Sequence, residues 1–190
     1  MKRKVKYLSI LGFFISGLLF SQQANPIYIK TNASLIPLGL VNVGAEIGLS
    51  EHYTMQGDIF VSPWKSFFGN HARVGMGHLE GRYYFSQAFK KWYIGVNAGV
   101  GVFDLTKWNY KDTNQYQRGF NYMVGASVGY QFQFNDKWNL DVFVGGGMSQ
   151  AFYHGYDGNT GQRYDSAEKW NKSGEWIPYR GGLMLSYKIK

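Results

Sequence analysis

The chain has 190 residues, with 18% aromatics, 25 glycines, four prolines and no cysteine, a length that fits one ordinary domain. The aromatic content excludes disorder for most of it, and the lack of cysteine excludes disulfide frameworks, thiolate metal sites and cysteine nucleophiles. Half of the +8 formal charge sits in the first residues, where Lys2, Arg3, Lys4 and Lys6 precede an apolar run over 7–20 and a small polar Ser21-Gln22-Gln23-Ala24. This is the layout of a secretory signal peptide, and the run is too short for a spanning helix, which needs about 20 apolar residues. Residues 1–21 are therefore read as a signal, with cleavage within 21–24, and 22–190 as the exported domain. Its removal leaves Lys plus Arg at 16 against 12 acids, a charge of about +4 that gives no case for a nucleic-acid partner.

Past the signal, apolar residues alternate with period two in eight segments, which predicts strands. In 41–50, Val41, Val43, Ala45, Ile47 and Leu49 share one face and Asn42, Gly44, Glu46, Gly48 and Ser50 the other. In 92–103, Trp92, Ile94, Val96, Ala98, Val100 and Val102 oppose Tyr93, Gly95, Asn97, Gly99, Gly101 and Phe103. Similar segments begin near Ile27, Tyr53, Gly75, Phe120, Trp138 and Tyr179. Each has about ten residues, the length with which a tilted strand crosses a bilayer. The links fall at 36–40, 51–52, 63–74, 86–91, 104–118, 135–137 and 150–174, short and long alternating from the second onward, as in outer-membrane barrels. Lys91-Trp92, Val96, Gly99 and Gly101 recur 46 residues later as Lys137-Trp138, Val142, Gly145 and Gly147, a repeated hairpin unit.

The polar face carries glycine, Asn, Ser, Gln and the charges Glu46, Asp58, His78, Glu80, Arg82, Asp141 and Arg180, with Lys30 on the same phase. Water-facing strands seldom hold so much glycine. Gly95, Gly99, Gly125, Gly129, Gly145 and Gly147 instead fit a crowded concave interior beside Phe60, Tyr84 and Phe143. The polar face is thus read as the lumen and the apolar face as lipid-facing. An eight-stranded interior is just wide enough for side chains, so the charges must pair or hold water, which predicts a salt-bridged plug. Tyr53, Phe85, Trp92, Phe134, Trp138 and Tyr187, next to the short turns and on the outward phase, make an expected aromatic belt at one membrane interface.

Two further sets of residues carry a resemblance. The ending Arg180-Gly181-Gly182-Leu183-Met184-Leu185-Ser186-Tyr187 resembles the C-terminal signal that the barrel-assembly machinery reads in outer-membrane proteins. Gly182, Leu185 and Tyr187 occupy its glycine, apolar and aromatic places, with Lys188-Ile189-Lys190 added after them. Lys30-Thr31-Asn32, Gly44-Ala45-Glu46, Ser62-Pro63-Trp64, Glu80-Gly81-Arg82-Tyr83-Tyr84, Gly129-Tyr130-Gln131 and Trp138-Asn139-Leu140-Asp141 resemble a family of small outer-membrane barrels of unknown function, typical of Bacteroidota and OmpA/OmpX-like in strand number. The resemblance implies an all-β, eight-stranded antiparallel up-and-down transmembrane barrel in a Gram-negative outer membrane, and carries no activity with it.

Catalytic signals are thin. His52, His71, His78 and His154 lack metal spacing, and no P-loop, His-Glu-x-x-His or Gly-x-Ser-x-Gly motif occurs. No catalytic residue, metal or cofactor is expected. Ser149, His154 and Asp157 are the residues from which a lipid A or phospholipid-modifying barrel enzyme would have to build a triad. A narrow solute channel and a water-soluble secreted carrier are two more rival roles. The longest links carry Trp108, Tyr110, Tyr116, Phe152, Tyr153, Tyr156, Tyr164 and Trp170 with Lys107, Lys111, Arg118, Arg163, Lys169 and Lys172. Such aromatics and cations suit lipopolysaccharide phosphates, glycans or a protein partner, or simply sit among anionic head groups. The expected role is structural or surface-interacting: envelope integrity, adhesion, or an accessory subunit of an outer-membrane complex.

Overall fold

The computed structural model describes residues 25–66, 68–165 and 169–190. The expected signal peptide and its cleavage window lie outside the described residues. Among the described residues eight strands close into an antiparallel barrel in chain order: β1 Ile27–Asn32, β2 Val41–Gly48, β3 Tyr53–Ser62, β4 Ala72–Tyr84, β5 Lys91–Leu105, β6 Gln115–Gln133, β7 Trp138–Asp157 and β8 Asn171–Lys188. The ring is sealed by β1 on β8, with Ile29 opposite Tyr187 and Thr31 opposite Leu185. Short links at 49–52, 85–90 and 134–137 stand at one end, and longer ones at 33–40, 63–71, 106–114 and 158–170 at the other.

Period-two alternation builds this wall because successive side chains of a strand point to opposite faces. Outside, Leu79, Val96 and Val100 are 65, 71 and 66% exposed; inside, Glu46, Gln56 and Asp141 are fully buried. The barrel is therefore apolar without and polar within. The apolar core proper is small, a cluster of Tyr84, Tyr93, Phe143 and Met184. Gly129 shows why the inward face needs glycine: a Cβ there would lie 2.5 Å from the Tyr93 ring.

Three features depart from the sequence reading. Strands reach far into the expected links 104–118 and 150–174. β6 and β7 stay paired from Gln133 opposite Asn139 to Gln115 opposite Asp157, where stacked pairs such as Tyr116–Tyr156 and Phe120–Phe152, both 5.3 Å apart, hold a ladder. There both faces are polar or aromatic, so alternation no longer marks the strand. In the opposite direction β1 and β2 fall short of ten residues, because a 3-10 turn over Ala33–Leu38 containing Pro37 interrupts the hairpin. Finally, β8 bulges: Gly145 faces Arg180 while Gly146 faces Pro178. Tyr179 is the extra residue, and strict alternation would place it outside. The bulge instead turns Tyr179 inward together with Arg180, its hydroxyl 2.6 Å from Asn97 Oδ1.

Candidate functional site

Among the described residues, the lumen is where charged side chains converge under cover. β1 supplies Lys30, β2 Glu46, β3 Gln56 and Asp58, β4 His78, Glu80 and Arg82, β7 Asp141 and β8 Arg180. Register sets their heights: Glu46 faces Gln56, which faces Glu80, which faces Asn97.

Two layers result. In the half nearer the short turns, Lys30 Nζ lies 2.7 Å from Glu46, 2.7 Å from Asp141 and 2.9 Å from Gln56 Oε1. Arg82 Nη1 reaches Asp141 at 2.8 Å and Glu46 at 3.2 Å, and its Nη2 reaches Glu80 at 3.0 Å. Hydroxyls add further donors. Thr54 donates to Glu46 at 2.6 Å, Tyr84 to Glu46 at 2.8 Å, Tyr93 to Asp141 at 2.8 Å, and Ser127 to Glu80. The Arg82 guanidinium also lies 4.3 Å from the Tyr93 ring centre. Ions taken out of water need such dense pairing, since desolvation otherwise outweighs their attraction. The second layer, toward the longer links, holds Arg180 at 2.8 Å from Asp58 and 3.2 Å from Glu80, with His78 Nδ1 3.7 Å from Asp58. Among the described lumen residues four carboxylates thus meet three permanent cations.

Below the plug, Phe89 closes the short-turn end. It adopts φ 66°, a left-handed conformation uncommon outside glycine. Its ring is 4% exposed, 4.5 Å from Tyr28 and 6.2 Å from Tyr84.

All seven expected lumen charges sit inside, and Lys30 joins them at the centre. Tyr84, expected there only as bulk, acts as a donor; Tyr93, Thr54 and Gln56 complete the network. Their inward phase is visible in the sequence, whereas Phe89 lies in a turn without periodicity. The expected belt residues Tyr53, Phe85, Trp92, Phe134 and Trp138 are exposed, and Tyr187 packs on Trp138 at 4.8 Å. Tyr83, Tyr130 and Phe132 extend the same band through contacts to Tyr53, Trp92 and each other. Of the expected C-terminal signal, Leu185 and Tyr187 lie on β8 against β1. Gly182 takes φ 135°, where a Cβ would meet the Asn32 amide.

At the longer-link end, Tyr116, Arg118, Phe152, Tyr153, Tyr156 and Lys172 are strand residues, not loop residues. Asp104 binds Arg118 at 2.7 Å and His71 at 2.8 Å, and Lys107 Nζ sits 4.2 Å from the Tyr153 ring centre. Burial lowers the pKa of Lys107. In the last link, burial alone would raise Asp165, but the Gly155 amide at 2.8 Å and then Arg163 hold its carboxyl below the ordinary value. Ser149, His154 and Asp157 are not brought together. Ser149 faces inward and accepts from Asn121, while His154 stacks on Trp170 at 4.1 Å. Asp157 is occupied by Thr160 and the Asn159 amide. Five residues of strand separate Ser149 from His154 by roughly 16 Å. Among the described residues no three His, Asp or Glu side chains form a metal-sized group.

A family model described as "Protein of unknown function (DUF3575)" matches residues 9–189. No curated protein matches the chain. Among solved structures, the NMR solution structure of the E. coli outer membrane protein W is similar at 10% identity and a TM-score of 0.37, over 88% of this chain and 98% of that one.

Proposed function

We propose that the chain, which belongs to the DUF3575 family of proteins of unknown function, is an outer-membrane barrel with a plugged lumen and a structural or surface-interacting role. The observation that carries this reading is the inversion of the wall. A water-soluble barrel would place Leu79, Val96 and Val100 inside and Glu46 and Asp141 outside, the reverse of their positions. Lipid demands that every backbone group be paired around a closed ring, and the β1–β8 seam meets that demand.

Dimensions support it. From Trp92 to Val102 the outward row of β5 runs about 33 Å along the strand. A tilt near 40° brings that to about 25 Å of height, the thickness of the apolar band in such barrels. The aromatic band around Tyr53, Trp92, Tyr130 and Trp138 then lies at one interface, where amphipathic rings are favoured. The plug argues against solute passage, because Lys30, Arg82, Glu46 and Asp141 fill the lumen with fully buried, mutually bonded ions. Partners follow from the exposed parts: lipid on the wall, the barrel-assembly machinery at Gly182, Leu185 and Tyr187, and lipopolysaccharide, glycan or protein at the rim around Trp108 and Trp170.

The test is envelope fractionation combined with lipid A mass spectrometry of cells with and without the gene, and conductance of the purified chain in planar bilayers. The expected result is a heat-modifiable outer-membrane band, unchanged lipid A and no discrete conductance. Recovery in the soluble fraction would refute the location; an altered acyl pattern or unitary currents would replace the role with an enzyme or a channel.

A further inference from the structure

Above the plug, under the 3-10 turn of residues 33–38, the lumen keeps a cavity of about 210 Å³. By liquid volume it has room for about seven waters. Its lining is mixed. Leu35, Leu40, Phe60, Met76 and Phe143 supply apolar surface, and Asn32, Asn42, Asp58, His78, Tyr179 and Arg180 supply polar groups, with the Arg180 guanidinium 5.6 Å from the Phe143 ring centre.

Among these polar groups the Asp58 carboxylate is already bonded, while Arg180 and His78 keep unbonded nitrogens. Asp58 Oδ1 receives Arg180 Nη2 at 2.8 Å and Gln56 Nε2 at 3.2 Å, and Oδ2 receives Asn42 Nδ2 at 3.2 Å. Arg180 Nε and Nη1 and both ring nitrogens of His78 have no hydrogen-bond partner, although these side chains are only 5% and 2% exposed. Buried polar groups in folded proteins are paired, so unpaired polar atoms on side chains that line a cavity call for an occupant. Water can bond the polar groups, but each molecule needs two to four polar partners and the five apolar side chains offer it none.

We propose that this cavity binds a small, uncharged amphiphile, a carbonyl compound whose oxygen accepts from Arg180 and whose apolar body lies on Met76 and Phe143. Charge selects the neutral class. An anion would enter beside Asp58 and Glu80 with a single guanidinium already shared between them, and a cation would face the unpaired Arg180 donors. Only the barrel interior is involved, so the site stands whether or not the barrel resides in an outer membrane.

The test is NMR titration of the purified full chain in detergent with three probes of similar shape. They are 4-fluoroacetophenone, 1-fluoro-4-isopropylbenzene, which lacks the acceptor, and 4-fluorobenzoate, which is charged. The ketone is expected to bind saturably, to shift the Arg180 Nε–H resonance, and to exceed the hydrocarbon by about tenfold in affinity, the value of one hydrogen bond. Met76→Trp, which fills the cavity, should abolish saturation, and Arg180→Lys, which keeps the charge facing Asp58 and Glu80, should weaken the ketone by about the same tenfold. Equal uptake of ketone and hydrocarbon, or an unmoved Arg180 signal, would leave water as the only occupant and overturn the site. Tightest binding by the benzoate would overturn the neutral class. These wild-type comparisons decide the matter even if a variant does not fold.

Discussion

Replacing Lys30 by Met keeps the unbranched stem, one atom shorter, and removes its charge from the centre of the plug. Three contacts disappear, to Glu46 and Asp141 at 2.7 Å each and to Gln56 at 2.9 Å. Breaking a buried ion pair from one side costs about 3–5 kcal/mol because the partner is left uncompensated. Here both carboxylates retain Arg82, and Glu46 retains the Thr54 and Tyr84 hydroxyls while Asp141 retains Tyr93. The loss should therefore fall near the lower limit, about 3 kcal/mol. Adding Asp141→Asn returns the excess of carboxylates over cations to its original value, and the double variant should regain more than half of the loss. The assay is reversible urea unfolding of the folded barrel in vesicles, followed by tryptophan fluorescence. A loss under about 1 kcal/mol, the range of an exposed pair, would mean that water solvates the lumen charges separately and that there is no plug.

Other outcomes test separate parts of the molecule. Gly129→Ala should destabilise by about 1–3 kcal/mol, the usual cost of overpacking, because Tyr93 is pinned by Asp141 and Arg82 and cannot retreat; unfolding midpoints in urea measure it. Val100→Arg on the outward wall should cost about 2–4 kcal/mol in vesicles if that residue sits near mid-bilayer, against a few tenths for a residue facing water. In the last link, the depressed Asp165 carboxyl makes its staple to Gly155 and Arg163 complete above the ordinary value of 3.8 and lost as pH falls through the lower folded value. The Gly155 amide resonance should accordingly titrate with a midpoint below 3.8, and Asp165→Asn should abolish that titration.

How far the sequence discloses this molecule differs from strand to strand. In β5 nearly every residue from Trp92 to Val102 announces its face, because the wall separates a nonpolar outside from a polar inside. That same contrast discloses Glu46, Glu80, Arg82 and Asp141 as enclosed. Where the contrast vanishes, so does the signal. The upper β6–β7 ladder around Tyr116, Tyr156 and Arg118 reads as loop because both of its faces are polar or aromatic. The bulge at Tyr179 is hidden because one extra residue reverses the phase with no change in composition. Phe89 is hidden because a left-handed turn residue, not a strand residue, corks the barrel. The pairing of Lys30 with both Glu46 and Asp141 joins residues up to 111 apart in the chain, and only ring closure decides it.

The orientation of the wall can be measured residue by residue. The chain has no cysteine, so single substitutions at Val96, Val100 and Trp108 can each carry one nitroxide in reconstituted vesicles. Labels at 96 and 100 should collide freely with dissolved oxygen and be shielded from a water-soluble nickel chelate, while the label at 108 shows the opposite. Nickel collisions at 96 and 100 as frequent as at 108 would contradict a lipid-facing wall.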